Sequence, residues 1–95
     1  MNFKVKKLEV SPGKGLSLQS HNKRQEHWTV VDGIAKIQVD EDVKTYSRND
    51  SVYIPANTKH RLENVGQVPL VIIETQIGEY FGEDDIIRLD DDWNR

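Results

Sequence analysis

An all-β fold, a small sandwich or jelly-roll barrel, is what this sequence predicts, and three observations predict it. Apolar residues recur at period two far more often than at helical spacing, the segments carrying them are short, and turn-forming residues divide them. The expected strands are Phe3–Val10, Leu16–His21, His27–Val31, Ala35–Val39, Val43–Tyr46, Ser51–Ile54, His60–Asn64 and Leu70–Ile77. Pro12-Gly13, Asp32-Gly33, Asp40-Glu41-Asp42, Asn49-Asp50 and Val65-Gly66 lie between them, because Gly and Asn accept the left-handed backbone of tight turns. Short strands spaced this regularly usually form a sandwich or a jelly roll. From Gly82 to Arg95 the pattern changes to an acidic segment, expected as one helical turn docked by Ile86, Ile87, Leu89 and Trp93. The single aromatics Trp28, Tyr53 and Phe81 are expected in the core.

With 95 residues there is room for one domain, residues 1–95, and one modest core, so every functional residue must share one scaffold. The net charge of -3 and the dispersal of the 13 basic residues make nucleic acid a poor partner. No cysteine is present, which excludes a disulfide framework, a thiolate zinc cluster and a cysteine nucleophile. No stretch approaches the roughly 20 apolar residues of a membrane span, and the start Met1-Asn2-Phe3-Lys4-Val5-Lys6-Lys7 lacks a signal-peptide core. A cytoplasmic protein with no membrane partner is the expectation.

Two stretches carry chemistry. On Leu16–His21, alternation puts Gln19 and His21 on one face with Ser17, and Leu16 with Leu18 on the other. Glu26 shares a face with Trp28 and Val30, an apolar face that points inward, which turns His27 outward. His60 shares its face with Leu62 and is also expected inside, with Arg61 and Glu63 outside. Sheet pairing that brings His60 to Gln19, His21 and Glu26 makes a four-ligand site of mixed nitrogen and oxygen donors. That set suits one borderline divalent ion, zinc first, or iron, manganese or nickel, rather than calcium. Glu83-Asp84-Asp85 and Asp90-Asp91-Asp92 lack the alternating ligands and central Gly of a calcium loop.

The spacings resemble those of the cupin superfamily. Its first motif runs Gly, five residues, His-x-His, three or four residues, Glu, six residues, Gly; here it reads Gly13, Gln19-Ser20-His21, Glu26, Gly33, with Gln for the first His. Its second runs Gly, five residues, Pro-x-Gly-x-x-His-x-x-x-Asn; here it reads Asn49, Pro55-Ala56-Asn57-Thr58-Lys59-His60, Asn64. Asn replaces Gly twice, as the residue with a side chain that best keeps a left-handed turn. The fold implied is the cupin double-stranded β-helix, a jelly-roll barrel. More narrowly, Leu16 to His21, Arg24-Gln25-Glu26-His27-Trp28, Tyr53-Ile54-Pro55, His60 to Asn64 and Gly82 to Ile86 are similar to the C-terminal isomerase domain of type II mannose-6-phosphate isomerases. In that family this domain usually follows a mannose-1-phosphate guanylyltransferase domain, so a stand-alone isomerase-like cupin is expected. Asn22-Lys23 stands where the family commonly has a His run.

The resemblance implies interconversion of mannose 6-phosphate and fructose 6-phosphate through an enediol. That reaction needs a Lewis acid, a base to carry a proton between two carbons, and cations to hold phosphate. Zinc on Gln19, His21, Glu26 and His60 would have one anionic ligand and keep its polarising charge. His27, which can titrate near neutral pH, is the first candidate base, and Glu74, on a face with Leu70 and Ile72 where burial is expected to raise its pKa, the second. Arg24 is the leading phosphate contact, with Lys23 and Arg88 behind it. Two other function classes stay open: a metal-dependent dioxygenase of the same superfamily, and a non-catalytic sugar-binding module. A homodimer is expected, because so small a barrel leaves sheet edges that Phe3–Val10 or the C-terminal segment could cover by crossing between subunits.

Overall fold

The computed structural model describes residues 1–90. Nine strands follow one another: β1 (Asn2–Val10), β2 (Gly15–His21), β3 (Arg24–Asp32), β4 (Ala35–Val39), β5 (Asp42–Tyr46), β6 (Ser51–Ile54), β7 (His60–Asn64), β8 (Leu70–Gly78) and β9 (Ile86–Asp90). They form two antiparallel sheets, one ordered β1-β8-β3-β6 and the other β5-β4-β7-β2-β9. Alternation decides which side chains meet between them. Trp28 and Val30 from β3, Ile37 from β4, Ile54 from β6, Leu62 from β7 and Leu70 with Ile72 from β8 make one buried core, as the period-two pattern requires.

The left-handed turns fall where Asn was read in place of Gly: Asn49 has φ 75° and Asn57 φ 61°. Gly78 is required for a different reason. It faces Arg24 across the β3–β8 pair, and a Cβ there would collide with the Lys23 carbonyl oxygen. The first residues of β3 can therefore lie tight against β8.

Three expectations change. The helical turn is a single 3₁₀ turn at Glu83–Asp85, and the residues after it form β9 along β2. Ile86 and Ile87 favour strand, and β2 offers an unpaired edge, so the segment extends the sheet. Ile87 is exposed rather than docked, whereas Ile86 is half-buried; the Leu89 side chain and Trp93 lie outside the described residues. Tyr53 is not core: it lies opposite His27 on the outer face, 46% exposed, its hydroxyl donating to Gln25 Oε1 at 2.8 Å. Leu16 turns inward and packs against the core, because β2 carries a bulge: Leu16 pairs with Leu62 and Gln19 with His60, three steps on β2 against two on β7. One extra residue reverses the alternation, so Leu16 and Gln19 reach the same side. In the first sheet β1 pairs along its whole length with β8, Asn2 opposite Gly78 to Val10 opposite Leu70.

Candidate metal centre

The chain crosses from one sheet to the other at the turn Asn22-Lys23, and this crossing sets His21 at the end of β2 against Glu26 near the start of β3. His21 Nε2 lies 3.2 Å from Glu26 Oε2 and His60 Nε2 lies 3.9 Å from Glu26 Oε1. The donor atoms of His21, Glu26 and His60 all fall within 4.8 Å of one another, and all three residues are buried. The two imidazole centroids are 4.7 Å apart. The bulge on β2 supplies the fourth group: it puts Gln19 opposite His60 in the same cavity. Gln19 Nε2 donates to the Ser17 carbonyl at 3.2 Å, which commits the amide nitrogen and not the amide oxygen.

The protonation states suit a cation. Burial, then the proximity of His60 and Arg24, pushes the His21 pKa down to about 3; burial also lowers that of His60. Both rings are neutral and present lone pairs. His60 Nδ1 sits 3.1 Å from the Thr58 carbonyl, which can only accept, so the proton is on Nδ1 and Nε2 faces Glu26. Glu26 is pushed up to about 8 by burial and then by the neighbouring Glu74. For Glu74, burial acts upward, but hydrogen bonds from Glu26, Gln76 and Trp28 and the charge of Lys6 outweigh it and lower the pKa. The surroundings thus favour an ionised Glu74 and, on Glu26, a proton. A divalent cation among these donors would take its place. Two neutral imidazoles, a carboxylate and an amide oxygen fit a borderline divalent ion.

Around these donors lies a cavity of about 150 Å³ whose lining includes Lys6, Leu16, Gln19, Arg24, Trp28, Glu74, Ile86 and Arg88. A chain of hydrogen bonds ties part of its lining together. Trp28 Nε1 donates at 3.0 Å to both Glu26 Oε1 and Glu74 Oε2, and Gln76 Nε2 donates to Glu74 Oε1 at 3.0 Å. Arg24 Nε donates to Glu26 Oε2 at 3.0 Å and its Nη1 to the Phe81 carbonyl at 3.2 Å.

The structure thus brings Gln19, His21, Arg24, Glu26, His60, Glu74 and Arg88 to one cavity and leaves two expected residues outside it. His27 is on the outer face of β3, its ring 4.9 Å from that of Tyr53, because it alternates with the inward Glu26 and Trp28. Lys23 lines a separate surface depression, with Nζ 5.1 Å from the Tyr80 ring centre. Arg24 is buried and spends Nε and Nη1 on protein acceptors, which makes it a brace for Glu26 rather than an open phosphate fork. Two residues were missed. Lys6 alternates with Leu8 and Val10, and that period-two signal could have placed it inside. Trp28 was read as core only, although a buried indole N–H needs an acceptor and two carboxyls share its face.

The family described as mannose-6-phosphate isomerase C-terminal matches residues 1–91. Mannose-1-phosphate guanylyltransferase of Escherichia coli (strain K12) is 47% identical over 93 residues, covering 98% of this chain and 20% of that protein. Alginate biosynthesis protein AlgA of Pseudomonas syringae pv. tomato is 52% identical, covering 98% of this chain and 19% of that protein. The chain therefore spans about a fifth of the length of these relatives. Among solved structures, oxalate decarboxylase from Bacillus subtilis superposes with TM-score 0.84 at 17% identity over 93% of this chain and 24% of that one. A Klebsiella pneumoniae protein with a double-stranded β-helix domain gives 0.81 at 19% identity, covering 94% and 71%. At such identities the likeness concerns the fold. With the fold, the paired motifs and the family match in agreement, the chain belongs to the mannose-6-phosphate isomerase C-terminal family, built on a cupin barrel.

Proposed function

We propose that this domain is a metal-dependent aldose–ketose isomerase that interconverts mannose 6-phosphate and fructose 6-phosphate through an enediol. The observation that carries the reading is the coexistence, in one cavity, of a three-donor cluster and an additional buried carboxyl that does not belong to it. Gln19, His21, Glu26 and His60 would hold one divalent ion, which we take to be zinc. When bound, that ion would supply Lewis-acid polarisation of the sugar carbonyl. Glu74 is the base: it lines the cavity, and the hydrogen bonds around it favour the ionised form that can accept a proton from one carbon and return it to the next. Trp28 and Gln76 fix the Glu74 carboxylate through one hydrogen bond to each oxygen. Arg24 holds Glu26 in place. Leu8, Leu16 and Ile86 supply apolar wall and limit water near the reacting carbons.

The test is a coupled assay for fructose 6-phosphate on the zinc-loaded chain, with and without chelator, beside metal analysis. We expect turnover that chelation abolishes, and a Glu74→Gln variant that keeps its zinc but loses at least about 100-fold in rate. Zinc binding without turnover would instead favour a non-catalytic sugar-binding module. Iron with oxygen-dependent turnover would favour a dioxygenase.

A further inference from the structure

We propose that Lys6 of β1 and Arg88 of β9 form a two-pronged phosphate anchor at the mouth of the cavity; this deepens the isomerase reading and rests on it. The two residues come from the terminal strands of opposite sheets, β1 closing one and β9 the other, and both line the cavity that holds His21, Glu26 and His60. Both can reach solvent: the Lys6 side chain is 43% exposed and Arg88 is exposed. Arg24, buried and committed to Glu26 and the Phe81 carbonyl, lacks this freedom.

Charge supports the assignment. The whole chain carries a net charge of -3, yet the cavity lining sets three cations, Lys6, Arg24 and Arg88, against two carboxyls, Glu26 and Glu74. A cleft of opposite sign to its protein concentrates an anion. The partner of Lys6 is Glu74, at 3.8 Å, a distance too long to saturate an ammonium with three donors. Arg88 adds a planar fork that matches two phosphate oxygens.

Size fixes the orientation. A volume of about 150 Å³ is below the roughly 300 Å³ of a pocket that encloses a whole small ligand. The carbonyl end of a sugar enters toward the histidines, and the phosphate stays outside between Lys6 and Arg88. The site therefore selects sugars phosphorylated at the end remote from the carbonyl.

The experiment has two arms on the full 95-residue chain. In the first, inorganic phosphate is titrated into chelator-treated protein and followed by NMR of the Lys6 Nζ and Arg88 Nε groups. We expect both to shift, and a Lys6→Met/Arg88→Gln variant to bind phosphate at least about tenfold more weakly. The charge-conserving Lys6→Arg/Arg88→Lys variant should recover most of that loss, and thermal melts check that each variant is folded. In the second arm, zinc-loaded protein is titrated with mannose 6-phosphate and with mannose, and its preference for the phosphorylated sugar should collapse in the Met/Gln variant. If native protein binds no phosphate, or the folded Met/Gln variant binds it as tightly as native, the anchor is overturned, whatever the isomerase assay shows. Phosphate binding that depends on the two residues, in a protein that does not isomerise, upholds the anchor and removes the isomerase reading alone.

Discussion

Trp28 is the residue on which most of the site converges. Its ring fills the core at 1% exposure while its single N–H reaches both Glu26 and Glu74. Trp28→Phe keeps much of the apolar volume, removes that donor and leaves the space of the lost pyrrole ring. It should cost about 1–3 kcal/mol in urea unfolding and weaken zinc binding by roughly 10–100-fold, as removal of outer-sphere partners does. The titrating residues give a second expectation, for the metal-free protein. His21 is held neutral in the fold, with its pKa near 3, so the unfolded chain takes up the proton first and stability falls as pH drops below about 6.5. Glu26 keeps its proton in the fold up to about pH 8, whereas the unfolded chain releases it above about 4.3, so stability also falls as pH rises toward 8. Between about 4.3 and 6.5 the two slopes oppose each other and give a plateau, and above about 6.5 the Glu26 decline runs alone toward pH 8. Urea midpoints across pH, in chelator, should trace it; saturating zinc, which holds Glu26 ionised, should remove the alkaline decline.

At the scale of the element, the turn between β2 and β3 positions the centre, and Asp85 holds that turn. Its two carboxylate oxygens accept from the backbone N–H groups of Asn22 at 3.3 Å and Lys23 at 2.9 Å. Asp85→Ala leaves both amides without that acceptor and should cost about 1–3 kcal/mol by denaturant unfolding, with weaker zinc binding, because the turn links the ligands His21 and Glu26. Much of this scale was legible beforehand. The inward faces of Glu26, His60 and Glu74 followed from alternation with Trp28, Leu62 and Ile72, since a one-residue slip would have buried the polar face instead. Leu16 and Gln19 were not both legible. A bulge changes phase without changing composition, and Gly15-Leu16-Ser17-Leu18-Gln19 alternates acceptably in either phase. Nor was β9, because an acidic segment with three apolar residues satisfies a helical turn as well as an edge strand until β2 is seen to need a neighbour.

For the whole molecule, the centre and the core are one structure. Glu26 and His60 alternate along their strands with the core residues Trp28 and Leu62, so occupancy of the centre should be felt as global stability. Zinc at 100 times its dissociation constant should add about 2.7 kcal/mol and raise the melting temperature on the order of 10 °C or more for a domain of this size. A chelator titration during thermal unfolding reads this directly. The outer face of the first sheet leaves Phe3, Val5, Ile73 and Tyr53 exposed, and among the described residues nothing covers it. We expect it to bury itself against a second copy, so that sedimentation gives about twice the 11.0 kDa chain mass; a species of one chain mass at tens of micromolar would refute the homodimer.

The bond from Arg24 Nη1 to the Phe81 carbonyl has a practical corollary for anyone trimming this protein. A version ending at Gly78 would retain every donor named for the ion, yet it would lose the clasp that steadies Glu26, the Asp85 latch on the crossing turn and one prong of the anion grip. Such a shortened barrel should still fold around its apolar core while holding zinc loosely and sugar phosphates hardly at all.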